Sequence, residues 1–307
     1  MFSSFPEKVN IVEVGPRDGL QSESNFVSTE NKIKLIDMLS QTGLPTIEVT
    51  AFVHPKWSPK LADSYEVATS INKLENVNYT ALIPNLKGLE RAISSDLKEV
   101  AISFSASESH SKKNLNRSID ETFEVVEETI KQAKANNIKT RAYLSTVFGC
   151  PYEGNISIDK VTKIVKKLLS FGAYQISLGD TIGIGNPKQV QKILTEIFKV
   201  IDNKEQIALH FHDTRGLGLA NSIVGLSMGI TTFDSSIGGL GGCQYAPGAS
   251  GNISTEDLVN MLHSMGIKTG VDLNKLVECN FFMRDILGKE LNSKYAKAYV
   301  ASHKISV

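Results

Sequence analysis

Eight strand-like runs, most of them followed by a helix-like run, predict an α/β fold: a (β/α)8 TIM barrel with a small C-terminal helical extension. Three observations support it: the βα alternation itself, the short connections between runs, and a chain of 307 residues with no low-complexity linker to split it. A doubly wound open sheet is the runner-up.

Taken in order, residues 9–14 read as the first strand and 29–42 as an amphipathic helix closed by Gly43. The unit then recurs, with strands expected at 46–52, 79–83, 99–104, 140–147, 174–178, 207–212 and 231–235. Helical periodicity fills 120–136, 157–171, 187–201 and 217–228. Beyond the eighth strand, Ser254-Thr255-Glu256-Asp257 precedes the apolar Leu258-Val259, an N-cap with acidic residues in the first turn. The expected organisation is therefore a catalytic barrel over 1–253, with a helical tail over 254–307 packed on the same domain. No repeat is visible beyond the alternation.

Composition excludes several classes of function. Lys+Arg and Asp+Glu balance at 33 each, so no polyelectrolyte surface for nucleic acid is expected. Cys150, Cys243 and Cys279 are odd in number and have no CxxC spacing, which argues against a disulfide framework and for a reducing compartment. No apolar run reaches membrane-spanning length, and the first residues lack the pattern of a signal or transit peptide; a cytoplasmic location is the expectation.

In a barrel the chemistry collects at strand ends. The seventh strand ends in His210-Phe211-His212-Asp213, and strand alternation places both imidazoles on one side with Phe211 opposite. Such a pair can share a divalent cation, although two hydrogen-bonded histidines at a strand end are the plainer reading of the pair alone. The first strand runs into Arg17 and Asp18. That pair by itself is an ordinary surface turn, but it would lie at the same rim, where a carboxylate joins two imidazoles in a partial metal shell. On the second strand Glu48 and Thr50 alternate with Ile47 and Val49; a buried Glu48 needs a partner, and orienting Arg17 is its expected role. Arg141, Tyr143 and Ser145 on the fifth strand, and Ser177 and Asp180 on the sixth, either line a substrate pocket or make hydrogen bonds inside the barrel. No strand end offers a lysine for a Schiff base, which favours metal-dependent chemistry.

The stretch from Gly238 to Asn252 is rich in glycine, as a loop that approaches a ligand closely requires. It carries Cys243, whose thiol with an ordinary pKa of ~8.5 is a usable proton donor at neutral pH. Asn252 offers a neutral oxygen suited to a hard cation.

Three motifs, Gly15-Pro16-Arg17-Asp18-Gly19-Leu20-Gln21, His210-x-His212-x-Thr214, and Gly239-Leu240-Gly241-Gly242-Cys243 with Gly251-Asn252, together resemble the 3-hydroxy-3-methylglutaryl-CoA lyases over nearly the whole chain. The first two are shared with isopropylmalate and homocitrate synthases; the cysteine loop is the narrower marker. Two positions depart from the pattern, Gln244 where Pro is common and Ser24 where Lys is common.

The resemblance implies cleavage of 3-hydroxy-3-methylglutaryl-CoA to acetoacetate and acetyl-CoA, as in leucine catabolism. A divalent cation, Mg²⁺ or Mn²⁺ with Zn²⁺, Co²⁺ or Fe²⁺ as alternatives, is expected on Asp18, His210, His212 and Asn252. Arg17 would stabilise the developing enolate oxygen with Glu48 behind it, and Cys243 would protonate the enolate carbon. Asp18, or next His210, would take the hydroxyl proton. Gln21, Tyr143, Ser145, Ser177 and Asp180 are expected substrate contacts, and a homodimer is implied. The alternatives are a condensing synthase using acetyl-CoA and a silent acyl-CoA or metal-binding barrel. Cys150, Cys279, His54, His110, His263 and His303 receive structural readings or none, and Trp57 is expected to cover the second loop.

Overall fold

The computed structural model describes residues 5–242 and 251–303. Eight parallel strands close in sequence order into a barrel: β1 (Asn10–Glu13), β2 (Thr46–Ala51), β3 (Asn78–Ile83), β4 (Glu99–Ser105), β5 (Lys139–Ser145), β6 (Gln175–Asp180), β7 (Ile207–Phe211) and β8 (Thr232–Ser235). The seam is the β1–β8 ladder, which pairs Asn10 with Thr232 and Glu13 with Ser235. The open sheet is thereby excluded, because β1 and β8 would be edges in it.

Helices α1 (Thr29–Ser40), α2 (Ser64–Ser70), α3 (Leu86–Ser94), α4 (Glu108–Leu115), α5 (Ile119–Ala135), α6 (Ile158–Phe171), α7 (Pro187–Ile197) and α8 (Gly218–Ser227) follow the strands; α9 (Thr255–Ser264), α10 (Leu273–Leu287) and α11 (Lys294–His303) form the tail. Their starts are chemically marked. Ser118 and Glu121 form a reciprocal capping box at α5, and Ser254 accepts from the Asp257 amide at α9. Asp257 in turn accepts from the amides of Lys294 and Tyr295, which fixes the start of α11. Among the described residues no helix is long and apolar enough to cross a membrane.

The main core lies between strands and helices, where Ile47, Val49, Leu144 and Leu178 pack outward against residues such as Leu35, Val165 and Leu194. Burying each such side chain stabilises the fold by roughly 1.5–3 kcal/mol. The barrel interior is polar by contrast, and holds Glu48, Arg141, Ser177 and Asp234 with almost no exposure. The β2–β3 ladder shifts register between Glu48 and Thr50, and past it Ala51 joins a small cluster with Leu82, Ala101 and Tyr143. A bulge of this kind resets the alternation, so the parity that groups Thr50 with Glu48 does not hold to the strand end.

Candidate active site

At the end of β1 the chain enters a π-type turn, Gly15–Gly19, in which the Asp18 and Gly19 amides both donate to Val14 O (2.7 and 3.2 Å). This widened turn is a recurrent feature of functional sites, and here it brings Arg17 and Asp18 over the barrel mouth. Arg17 is only 7% exposed. Its Nε donates to Glu48 Oε2 at 2.5 Å and its Nη1 to Asp18 Oδ1 at 2.6 Å, and its guanidinium lies 5.3 Å from the centre of the Tyr143 ring. Burial disfavours the charged guanidinium, but the two carboxylates override it and raise the Arg17 pKa, so the cation persists.

Asp18 accepts from Asn252 Nδ2 at 2.8 Å, and the same amide nitrogen donates to Leu240 O at 3.0 Å. Burial alone would push the Asp18 carboxyl up; Arg17, His210, His212 and the Asn252 amide reverse this and hold it far below the usual carboxylate range. His210 Nε2 lies 3.9 Å from Asp18 Oδ2. The His210 and His212 rings are 5.3 Å apart, and each residue is 8% exposed. Burial, with His210 and Arg17 close by, lowers the His212 pKa to about 4, so its ring is neutral at pH 7 and its lone pair is free. Phe211 turns away and packs on Phe148.

Among the described residues, Asp18, His210 and His212 bring one ligand atom each to within 4.8 Å of one another. Two buried atoms beside them, His212 Nδ1 and Asn252 Oδ1, have no hydrogen-bond partner. Unpaired buried acceptors cost stability unless something satisfies them. One carboxylate, two imidazoles and an amide oxygen fit a divalent cation with open positions.

The glycine loop frames this corner. Gly241 (φ +108°) and Gly251 (φ +90°) occupy the left-handed region, and a Cβ on Gly241 would stand 2.5 Å from Asn252 Nδ2. Cys243 and Gln244 lie outside the described residues.

The other expected site residues have varied placements. Glu48 is wholly buried against Arg17, Tyr143 lies under the guanidinium, Ser145 is half-buried at the end of β5, and Gln21 is exposed beyond the turn. Two of the expected substrate contacts are engaged within the protein. Ser177 is fully buried and donates to Asp234 Oδ2 (2.6 Å), and the Asp180 carboxylate accepts the Ile184 and Gly185 amides (3.0 and 2.9 Å), which shapes its own loop. Trp57 does not cover the second loop; it is 80% exposed. Cys150 and Cys279 are buried, and Cys150 Sγ donates to Ser107 Oγ. Sequence reasoning missed Asp234, which accepts from Arg141 and contacts His210 Nδ1 at 3.2 Å. The available signal was a carboxylate at an inward-facing position of a short strand.

The HMGL-like family model matches residues 8–282. The chain belongs to this family. The mitochondrial hydroxymethylglutaryl-CoA lyase of Bos taurus is 52% identical over 295 residues, covering 96% of this chain and 90% of the relative. The crystal structure of Bacillus subtilis HMG-CoA lyase superposes with a TM-score of 0.95 at 49% identity, covering 96% of this chain and 99% of that one. An HMG-CoA lyase from Acinetobacter baumannii, solved in complex with coenzyme A and 3-methylmalate, gives a TM-score of 0.92 at 42% identity, covering 96% of both chains. This HMGL-like chain is thus an enzyme of the carbon–carbon lyase class.

Proposed function

We propose that the chain cleaves 3-hydroxy-3-methylglutaryl-CoA to acetoacetate and acetyl-CoA, with Asp18, His210, His212 and Asn252 as the seat of a divalent cation. The observation that carries the reading is the approach of ligand atoms of Asp18, His210 and His212 to within 4.8 Å of one another, with Arg17 bonded to Asp18 and with His212 Nδ1 and Asn252 Oδ1 unpartnered. When bound, the cation supplies Lewis acidity that lowers the pKa of the substrate hydroxyl and fixes its direction. Mg²⁺ or Mn²⁺ suits this mixed oxygen and nitrogen set, and Zn²⁺ or Co²⁺ is compatible with it.

In the reaction the tertiary hydroxyl loses its proton, the bond between C2 and C3 breaks, and its electron pair moves into the thioester as an enolate. C3 leaves as the ketone of acetoacetate. Arg17 has five N–H donors, of which one is on Glu48 and one on Asp18; the remaining three are available to the enolate oxygen. Glu48 holds that fork in place. The thiol of Cys243 delivers a proton to the enolate carbon, which completes acetyl-CoA.

For the hydroxyl proton, Asp18 and His210 are the groups at hand. Asp18, clamped between Arg17 and Asn252, is a stabilised anion and therefore a weak base, which suits a ligand. A ring that gives its one lone pair to the cation has none left for a proton, however, so Asp18 through its second oxygen is the acceptor, with His210 next, taking the proton from a hydroxyl whose pKa the cation would lower. The A. baumannii complex with coenzyme A supports an acyl-CoA substrate, and a homodimer in the cytoplasm is the assembly and location proposed.

Protein treated with EDTA should release no acetoacetate from 3-hydroxy-3-methylglutaryl-CoA until Mg²⁺ or Mn²⁺ is added back. Turnover at full rate without metal would contradict the cation site, and no acetoacetate under either condition would contradict the reaction.

A further inference from the structure

Beneath the metal corner lies a carboxylate that the proposed mechanism does not use. Asp234 on β8 is 1% exposed and is contacted by groups from three other strands. Arg141 Nη2 on β5 donates to Oδ1 at 2.6 Å and its Nη1 to Oδ2 at 3.1 Å; Ser177 Oγ on β6 donates to Oδ2 at 2.6 Å; and His210 Nδ1 on β7 lies 3.2 Å from Oδ2. A buried carboxylate is costly unless it is paired, and Arg141 is the pair. Both of its oxygens accept from the Arg141 guanidinium, in the two-pronged geometry of an ion pair, and Oδ2 accepts from Ser177 as well. Asp234 is therefore ionised, and an ionised carboxylate can only accept. The hydrogen between it and His210 must belong to the imidazole.

We propose that Asp234 is a positioning residue that holds His210 in the Nδ1–H tautomer, so that the bare Nε2 lone pair is turned toward Asp18. The inference rests on the metal-site reading above and deepens it.

Two carboxylates compete for the imidazole hydrogen. Asp18 Oδ2 stands 3.9 Å from Nε2, outside hydrogen-bond range, and is already engaged by Asn252. Asp234 stands within range of Nδ1. With the hydrogen on Nε2 instead, the Nδ1 lone pair would face a buried carboxylate at 3.2 Å, a direct repulsion. The support behind Asp234 is itself braced. Arg141 Nε donates to Gln175 Oε1 at 2.9 Å, and Gln175 Nε2 donates to Glu205 O and Thr232 Oγ1. The ring orientation is thus referred through the barrel interior to β5, β6 and β8, all rigid elements. Partners of this kind set which imidazole nitrogen meets a cation, and losing one typically costs about 10–100-fold in metal affinity.

The test uses metal-free protein with ¹⁵N-labelled histidine at pH 9, in which the His210 signals are assigned by their loss in His210→Gln. The wild type should show a proton on Nδ1 and a bare Nε2. Asp234→Asn should lose this single-tautomer signature and bind Mn²⁺, followed by EPR, ~10–100-fold more weakly. Glu99→Gln removes another buried carboxylate at the opposite end of the barrel, bonded to Asn78 and Tyr174, and should change neither readout. A proton on Nε2 in the wild type overturns the proposal, as does wild-type tautomer and Mn²⁺ affinity in Asp234→Asn. If Asp234→Asn does not fold, the wild-type spectrum still decides. Wild-type protein that takes up no Mn²⁺ would overturn the metal-site reading, and the tautomer measurement would distinguish that failure from failure of the Asp234 assignment.

Discussion

Arg17 is held from two directions, by Glu48 at 2.5 Å and Asp18 at 2.6 Å, with the Tyr143 ring beneath. A guanidinium locked in this way loses little conformational freedom when substrate binds, and its free N–H groups keep a fixed direction. Charge that develops in the transition state then meets donors that need no reorganisation. Arg17→Met removes those donors and leaves Glu48 buried without a cation. Steady-state kinetics should show kcat down by about 10²–10³ with KM little changed, because the interaction strengthens as the enolate forms. A variant with raised KM and wild-type kcat would make Arg17 a ground-state binding residue. Single residues also show what local patterns conceal. Arg17, Asp18, His210 and His212 stand at the ends of runs whose periodicity is plain, and their shared rim follows from barrel topology. Asp234 and Arg141 are 93 residues apart, and no local pattern links them. Ser177 and Asp180 lie on a strand end like the others, but only three-dimensional placement shows that Asp234 and the Ile184–Gly185 amides engage them.

Among elements, the glycine frame after β8 is tightly constrained by its backbone. Gly251 has φ +90°, and a Cβ there would stand 2.5 Å from Gly241 O and 2.7 Å from Gly239 O. Both neighbours are backbone, so relief requires the loop root to move, and Asn252 moves with it. Gly154 is the natural control, since it also has positive φ (+69°) but nothing within 4 Å of the place a Cβ would take. Gly154→Ala should cost about 1 kcal/mol in urea unfolding, the conformational penalty alone. Gly251→Ala should cost roughly 1–3 kcal/mol and also reduce Mn²⁺ binding. Equal losses in the two variants, with metal affinity intact, would show that the close approach is unimportant. Glycine density pointed to this loop because a backbone that must pass near other backbone has few other residues to use. Which glycines are essential depends on contacts with segments far along the chain.

For the whole molecule, the eight strands were legible because parallel strands covered by helices read as apolar runs separated by amphipathic ones. The helices α2, α3 and α4 are short, and their periodicity over 7, 9 and 8 residues is weaker evidence than the 17 of α5. Global stability depends on pH through His110, in the first turn of α4. It is 1% exposed, and its Nδ1 lies 3.0 Å from Ser105 Oγ. Burial lowers its pKa to about 4 against the opposing pull of Glu153, whereas an exposed histidine titrates near 6.5. Between those values the unfolded chain binds a proton that the native protein does not. Stability conferred by the neutral ring is therefore complete above about pH 6.5 and falls as the pH drops toward 4. The linkage slope is on the order of 1 kcal/mol per pH unit across that window. Urea unfolding of wild type and His110→Gln at pH 7.5, 6, 5 and 4.5 isolates the contribution, because carboxylates that titrate in both proteins cancel in the difference. The wild type should lose its advantage over the variant as the solution is acidified. Parallel stability curves would mean that His110 titrates alike in the folded and unfolded chains.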